Sequence, residues 1–243
     1  MDESPTKEGP TENRYSQPTR KIDNPDTITY NAATTARACL PILRTAFALL
    51  ALTAIGVQLS IHVRSGFDVV NFFSYFTNLS NLCTAGVLLF AAAHGPDGRR
   101  TSERFALVRG ASVVAMAVVG IVFVAVLRNE DLGTLRPWVN AVLHYIMPLA
   151  VVLDWVFAPP ERVPSFRRSL LWLIFPALYL VYTLARGAAV GWYPYPFLNP
   201  SGANGYREVA VASIVIATVF FLMGSGVLAV ARRAQRLCRR QVC

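Results

Sequence analysis

The chain has 243 residues, of which 54% are hydrophobic and 15% are charged, with a formal net charge of +9 and a mean hydropathy of +0.42. Soluble domains carry about 25% charged residues, so this composition excludes an ordinary soluble globular protein and indicates an integral membrane protein. No nucleic-acid-binding motif accompanies the positive charge, so we expect no nucleic-acid partner.

The polar amino-terminal segment, residues 1–36, contains several prolines. Such a segment buries too little apolar surface to offset its ordering entropy, which predicts a disordered cytoplasmic tail. No short apolar run follows Met1, so we expect no signal peptide. A second, basic tail is predicted at residues 234–243, after the last apolar run.

Six apolar runs lie between these tails, each close to the roughly 20 residues that cross the hydrocarbon core of a bilayer as a helix. The period-two alternation of barrel strands is absent, so helices satisfy the backbone in lipid. The sequence therefore predicts an all-α polytopic membrane protein with one six-helix transmembrane domain over residues 37–233. The approximate limits of the runs are 41–63, 69–93, 105–127, 138–158, 169–190 and 208–231.

Arginine and lysine concentrate before the first run, in the second and fourth connections, and after the sixth run. The positive-inside rule then predicts that both termini are cytoplasmic and that the chain is a multi-pass protein of the plasma (cytoplasmic) membrane. We expect its basic cytoplasmic segments to contact anionic inner-leaflet lipids. Arginine far outnumbers lysine and alanine is abundant, which is typical of a GC-rich bacterial genome.

Four cysteines are present, at predicted cytoplasmic ends or inside a helix, so we expect no disulfide framework. Neither cysteine nor histidine shows the spacing of metal ligands. The sequence therefore predicts a protein without a metal or another cofactor. The cysteines are Cys39, Cys83, Cys238 and Cys243.

The second run is unusually polar, because Asn71, Ser74, Asn78 and Asn81 form a stripe at helical spacing and Thr77 lies beside it. Such side chains commonly hydrogen-bond one membrane helix to another, so most of the stripe is interpreted as helix packing. Thr77 lies about 10–12 Å below the outer interface. It is a candidate nucleophile, provided that a base activates its hydroxyl.

The fourth run holds His144, about 9 Å deep in the membrane. An ionisable group at that depth is a functional candidate, and a structural hydrogen bond to a neighbouring helix is the alternative. Asn140, one turn earlier on the same face, is a candidate to orient the ring or to donate to an oxyanion. Asp154 is too far along the helix to orient His144, so we expect it at the inner interface, paired with Arg167 or Arg168.

The fifth run ends near Arg186, about 6 Å below the outer end of its span. The side chain either extends to the interface or points inward, where it would hold a carboxylate or an oxyanion. The following segment, residues 191–206, is rich in aromatic residues, proline and glycine, which predicts a non-helical outer loop. This loop is interpreted either as a lid or as a rigid aromatic-belt segment.

Three blocks of sequence, YFTNLSNL at 75–82, LHYIMPLAVVLDW at 143–155 and FPALYLVYTLARGAAVGWYPYPFLNP at 175–200, resemble the bacterial branch of the androgen-induced and androgen-dependent membrane-protein superfamily. The likeness covers about residues 40–231. It implies a membrane-embedded threonine hydrolase of fatty acid esters of hydroxy fatty acids. By this resemblance Thr77 is the nucleophile and His144 the base.

The leading hypothesis is therefore an integral membrane lipid esterase that needs no cofactor and acts on a fatty acyl ester. Thr77 attacks the ester carbonyl, and His144 accepts and returns its proton. Asn81 or Asn140 supports the ring or the oxyanion, and Arg186 receives the carboxylate end of the substrate. A non-catalytic protein that binds or transports a small anion or a lipid is one alternative, and a membrane scaffold is another.

Overall fold

The computed structural model describes residues 25–94, 102–130, 133–202 and 205–241, with side chains over 38–94, 102–130, 133–202 and 205–237. Every regular element in these ranges is helical. The chain divides after Ala36 into two units, and the larger one, from Arg37 onward, contains the six apolar spans.

Six stretches of helix are long and apolar enough to cross a membrane, which confirms the predicted all-helical architecture with six candidate spans. Their limits follow the predicted runs closely at most ends, although the last one is longer. Their bounds in the described part of the chain are Ala38–Arg64, Phe76–Ala93, Glu103–Leu127, Pro137–Phe157, Phe166–Val190 and Gly205–Leu237.

The first helix, α1 (Pro25–Arg64), begins inside the segment for which the sequence predicts disorder. Proline at the first position of a helix is favourable, because its missing N–H has no partner there in any case. Residues 1–24 of the predicted disordered tail lie outside the described residues. The predicted basic tail is helical as far as Gln241, where the last helix, α9 (Gly205–Gln241), ends.

The second predicted run is not one helix over 69–93, because it is interrupted after a short helix α2 (Val69–Phe73). The next helix, α3 (Phe76–Ala93), starts after Tyr75, whose backbone is extended at φ −75° and ψ 127°. At the break the Ser74 hydroxyl contacts the Val70 carbonyl oxygen at 2.7 Å and the Tyr182 hydroxyl at 2.8 Å. Side-chain hydrogen bonds to the local backbone compete with the hydrogen bonds of a helix. Because a new helix starts after the break, the first backbone amides of α3 have no helical carbonyl as acceptor.

The third and fourth spans each contain a π-helical turn. The third consists of α4 (Glu103–Val122) followed by the turn Phe123–Leu127. In the fourth, α5 (Pro137–Ala141) leads through the turn Val142–Ile146 into α6 (Met147–Phe157). Single π turns inside α-helices are rare and frequently lie at functional sites, and one of these holds His144.

The fifth span begins with α7 (Phe166–Ser169) and the 3₁₀ turn Leu170–Leu173, and then continues as α8 (Ile174–Val190). Trp172 of the 3₁₀ turn lies against two glycines, Gly110 of α4 and Gly224 of α9. Its indole N–H donates to the Leu107 carbonyl at 2.8 Å. Since α4 also contacts α3 and α6, it is the central helix of the bundle.

The predicted pairing of Asp154, near the end of α6, with Arg167 or Arg168 is wrong. Its carboxylate instead binds Arg44 Nε at 2.8 Å and Arg109 Nη2 at 2.7 Å, because these arginines lie on the faces of α1 and α4 that meet α6. Arg168 pairs with Glu103 at an exposed position. The acidic residue is thus part of a buried network and not of the bundle rim.

Candidate functional site

The part of the polar stripe that lies on α3, Asn78 and Asn81, is buried, and these two asparagines join the chain segments around them. The Asn78 side chain donates to the Phe72 carbonyl at 2.8 Å, across the break between α2 and α3. The Asn81 side-chain N–H group donates to the Thr77 carbonyl at 2.9 Å and to the Leu143 carbonyl at 3.2 Å. These contacts fit the predicted packing role of the stripe.

Thr77 is 8% exposed and forms part of the wall of an apolar cavity with a volume of about 260 Å³. The volume is close to the lower end of the range for small-molecule sites, about 300–1,000 Å³. The remaining wall comes mainly from aliphatic and aromatic side chains of α4, α8, α9 and the loop after α8. Polar groups are few, namely Thr77, Tyr179, Tyr195 and Ser213.

Tyr195 of the loop after α8 is the polar partner of Thr77. Its phenol interacts with the Thr77 hydroxyl and with the backbone of Phe76 and Thr77, at the start of α3. Burial raises the pKa of Tyr195 to about 12, while these contacts act in the opposite direction. The phenol is therefore neutral at physiological pH and able to exchange hydrogen bonds with the threonine. The ring is fixed by stacking on Phe197, with centroids 5.1 Å apart.

The start of α3 also provides backbone donors beside Thr77 that have no acceptor within the helix. Tyr75 makes no side-chain cap, and the amides of Asn78 and Leu79 already bond to the Tyr75 carbonyl. The amides of Phe76 and Thr77 precede the first helical acceptor, as in every helix. They lie beside the phenol oxygen of Tyr195, and the helix dipole makes this position attractive for negative charge.

His144 is also buried, but it does not line the Thr77 cavity. Its ring stacks on Phe123, with centroids 4.0 Å apart and an interplanar angle of 24°. The Asn140 carbonyl lies near the ring, yet the geometry falls short of a hydrogen bond and Nδ1 is without a partner. Within the described residues no hydrogen bond joins His144 to Thr77.

Asn81 links the two predicted catalytic residues indirectly. Because its side-chain nitrogen contacts the carbonyl oxygens of both Thr77 and Leu143, these oxygens lie no more than about 6 Å apart. The turn that carries His144 is thus adjacent to the first turn of α3. Several buried polar atoms at or near this junction have no hydrogen-bond partner in the described part of the chain: Asn81 Oδ1, Asn140 Oδ1, His144 Nδ1, Thr84 Oγ1 and Ser80 Oγ.

Arg186 lies apart from Thr77, at the outer end of α8. It is half-buried, donates to Asn71 Oδ1 at 2.7 Å, and lies over the Trp192 ring at 5.3 Å. It does not line the cavity. Arg186 precedes the end of α8 by about one turn and is seven residues after Tyr179, hence about 10 Å from the cavity wall along the helix.

The segment 191–206 contributes directly to the cavity, since Tyr195, Phe197 and Leu198 are part of its wall. A Cβ atom at Gly187 would lie 2.0 Å from the Tyr193 ring, so only glycine allows this segment to fold back against α8. The sequence indicated an aromatic outer loop but not which aromatic residue faces Thr77. A tyrosine between two prolines, as in YPYP, was the available signal.

No group of three or more histidine, cysteine, aspartate or glutamate residues suited to a metal ion occurs in the described ranges. No protein-family model, no curated protein and no solved structure matches the chain. The likeness of the three sequence blocks to the androgen-induced and androgen-dependent superfamily therefore stays a prediction, and the chemistry of the site rests on its geometry.

Proposed function

We propose that the protein is an integral membrane hydrolase that cleaves a fatty acyl ester with Thr77 as its nucleophile. The observation that carries this proposal is the Thr77 hydroxyl at the start of α3, on the wall of an otherwise apolar cavity. An alcohol, backbone donors that have no acceptor within the helix, and an acyl-sized apolar space are the components of acyl transfer.

The reaction begins when Thr77 Oγ1 bonds to the ester carbonyl carbon and its proton passes to His144. The carbonyl oxygen, now an oxyanion, takes the place of the Tyr195 hydroxyl at the Phe76 and Thr77 amides. The bond from carbon to the alkoxy oxygen then breaks, and His144 returns the proton to the leaving alcohol. Water hydrolyses the threonyl ester, which releases the fatty acid and restores Thr77.

His144 acts as the base only after its ring turns from Phe123 toward Thr77. The short backbone separation across Asn81 supports this role, as does the unbonded Nδ1 atom. Catalytic hydrogen bonds are often absent from ligand-free sites and form with the substrate. Asn81 keeps the two turns together, and Asn140, one turn before His144, orients the turned ring.

Arg186 binds the carboxylate end of a substrate whose ester lies at Thr77. Its separation of about 10 Å from Tyr179 along α8 suits a substrate with an ester some carbons away from a free carboxylate. The guanidinium is held by Asn71 and Trp192, so it is oriented before the substrate arrives. A fatty acid ester of a hydroxy fatty acid has this arrangement of groups.

The substrate enters from the surrounding lipid. A groove between α4 and α9 shares three wall residues, Val122, Phe197 and Ile216, with the Thr77 cavity. Both termini are cytoplasmic in this proposal, and the chain resides in the plasma membrane of a bacterium. Exposed arginines at the inner end then contact anionic inner-leaflet lipids; they are Arg162, Arg167, Arg168, Arg232, Arg233 and Arg236.

The test is release of fatty acid from a branched fatty ester by the detergent-purified protein. We expect Thr77→Ala to lose activity at least 100-fold and His144→Ala to lose it by about 10²–10⁴-fold, the usual contribution of a general base. Thr84→Ala is the matched control, since Thr84 is another buried threonine of α3. No turnover by the parent, or equal loss in the control, contradicts the mechanism.

A second candidate function is lipid binding without hydrolysis. It is favoured by the contact of Thr77 with a neutral phenol and by the stacking of His144 on Phe123. In that case a fluorescent fatty ester binds without turnover. Ala217→Phe, on the cavity wall, abolishes binding, whereas Ala210→Phe on an exposed face of α9 does not.

A further inference from the structure

The network around Asp154 contains more positive than negative charge. Arg44 and Arg109 are 2% and 4% exposed, and both bind the single carboxylate of Asp154. They form no other ion pair in the described part of the chain. Charged groups inside a membrane span are expensive unless they are paired, so the second guanidinium needs a source of negative charge.

Arg109 is well supplied with acceptors. Its Nε and Nη2 atoms donate to Asp154 Oδ2 at 3.2 and 2.7 Å, and Nη2 also donates to the Asp154 carbonyl at 2.9 Å. That carbonyl belongs to the last turn of α6, whose partial negative charge is about half an elementary charge. The ring of Trp155, 5.2 Å from the guanidinium carbon, supports the same side chain.

Arg44 is supplied much less well. It contacts Asp154 Oδ1 through Nε alone, at 2.8 Å. Both Nη1 and Nη2 are buried, and neither makes a hydrogen bond in the described part of the chain. A buried donor without a partner destabilises the folded state, and more so when it is charged.

The charges of Asp154 and of the end of α6 together leave about half a positive charge uncompensated. The terminal nitrogens of Arg44, which have no acceptor in the described part of the chain, mark where this excess positive charge would meet a ligand. Arg44 lies on α1 and is only 2% exposed, and its terminal nitrogens are both buried. An enclosed position of this kind suits a compact ion and not a lipid headgroup that remains attached to its chains.

We propose that Nη1 and Nη2 of Arg44 form a binding site for one chloride ion, which completes the Arg44–Asp154–Arg109 network. The ion offsets the excess positive charge and accepts hydrogen bonds from both unused terminal nitrogens, so it holds α1 against α4 and α6. The site is separate from the Thr77 cavity and does not depend on the hydrolase proposal.

The test measures the thermal unfolding midpoint of the full-length protein in detergent, in sodium gluconate at constant ionic strength, while chloride replaces gluconate. We expect the midpoint to rise with the logarithm of the chloride concentration once this exceeds the dissociation constant, by about 5–10 °C at roughly 100 times that constant. Arg44→Lys keeps a charge beside Asp154 but lacks the paired N–H groups, so its response needs at least tenfold more chloride. Arg168→Gln removes an exposed pair and retains the full response.

The proposal is overturned if the unfolding midpoint of the parent does not respond to chloride, or if Arg44→Lys responds equally. If Arg44→Lys does not fold, broadening of the ³⁵Cl resonance by the parent protein tests the site instead. We expect bromide to reverse this broadening by competing for the site, and gluconate not to reverse it. Stabilisation by phosphatidylglycerol and not by chloride would assign the excess charge to a lipid and also overturn the site.

Discussion

Replacing Gly110 by alanine tests the packing of Trp172 between α4 and α9. The new Cβ atom would lie 2.4 Å from the indole ring, closer than any normal contact. The ring cannot move away freely, because Gly224 faces it with a Cβ position at 3.4 Å and its N–H is bonded to Leu107. Overpacking of a core costs about 1–3 kcal/mol, and loss of the indole hydrogen bond adds about 1 kcal/mol.

Alanine gains about 1 kcal/mol over glycine in a helix, so the net destabilisation is about 1–3 kcal/mol. For a chain of this size we expect the thermal unfolding midpoint in detergent to fall by about 2–12 °C. Gly86→Ala in α3 is the matched control, because its Cβ atom meets nothing within 4 Å. A Gly110→Ala protein as stable as Gly86→Ala would refute the close packing of Trp172 against Gly110 and Gly224.

Asp154→Asn leaves two guanidinium groups without a charged partner in the bundle, so it should lower the free energy of unfolding by about 3–5 kcal/mol. Arg168→Gln, which removes an exposed pair, should change this free energy by less than about 1 kcal/mol. Chemical denaturation in mixed micelles compares the two variants. The pKa of Tyr195 is raised by burial to about 12 in the folded protein, above its ordinary value of about 10. The folded state therefore retains the proton longer than the unfolded state, and stability should fall between pH 10 and pH 12; a Tyr195→Phe protein with the same pH profile contradicts this. Gly187→Ala displaces the tyrosine ring that fits against α8 and should weaken binding of a fluorescent fatty ligand at least tenfold, while Gly56→Ala, which meets no neighbour, should bind normally.

The six spans were predictable from the sequence because lipid imposes one strong constraint, a run of apolar residues long enough to cross the membrane. The break before Tyr75 was not predictable in this way. It depends on a hydroxyl of Ser74 that bonds both its own segment and Tyr182 of a distant helix. Periodicity within one segment contains no information about such a partner.

The candidate site was predictable in part. The depths of Thr77 and His144 were estimated from helical rise, and the turns that carry them are adjacent through Asn81. The orientation of the side chains was not predictable, because the π turn at Val142–Ile146 changes the face of the helix on which His144 lies. Arg186 was expected at the outer end, and its bond to Asn71 depends on the separate helix α2.

The error concerning Asp154 has a similar cause. Nearness in sequence and in membrane depth favoured Arg167 and Arg168, which follow it after a short connection. The actual partners, Arg44 and Arg109, belong to helices that only three-dimensional packing brings to α6. Membrane depth alone therefore predicts which charged residues pair only when few basic residues lie at the same depth.

The π turn at Val142–Ile146 also bears on how this chain tolerates insertions and deletions. A π turn accommodates one residue more than an α turn, and one residue corresponds to a rotation of about 100° around a helix. Deleting a single residue between 142 and 146 would convert the turn to regular α-helix and leave the span long enough for the bilayer. Because the π turn already absorbs one extra residue, the faces on either side would stay in phase after this deletion, and both membrane insertion and the junction with α3 should survive it. A one-residue deletion in the regular helix α6 would instead rotate the following face by about 100°, so it should disrupt helix packing while membrane insertion survives.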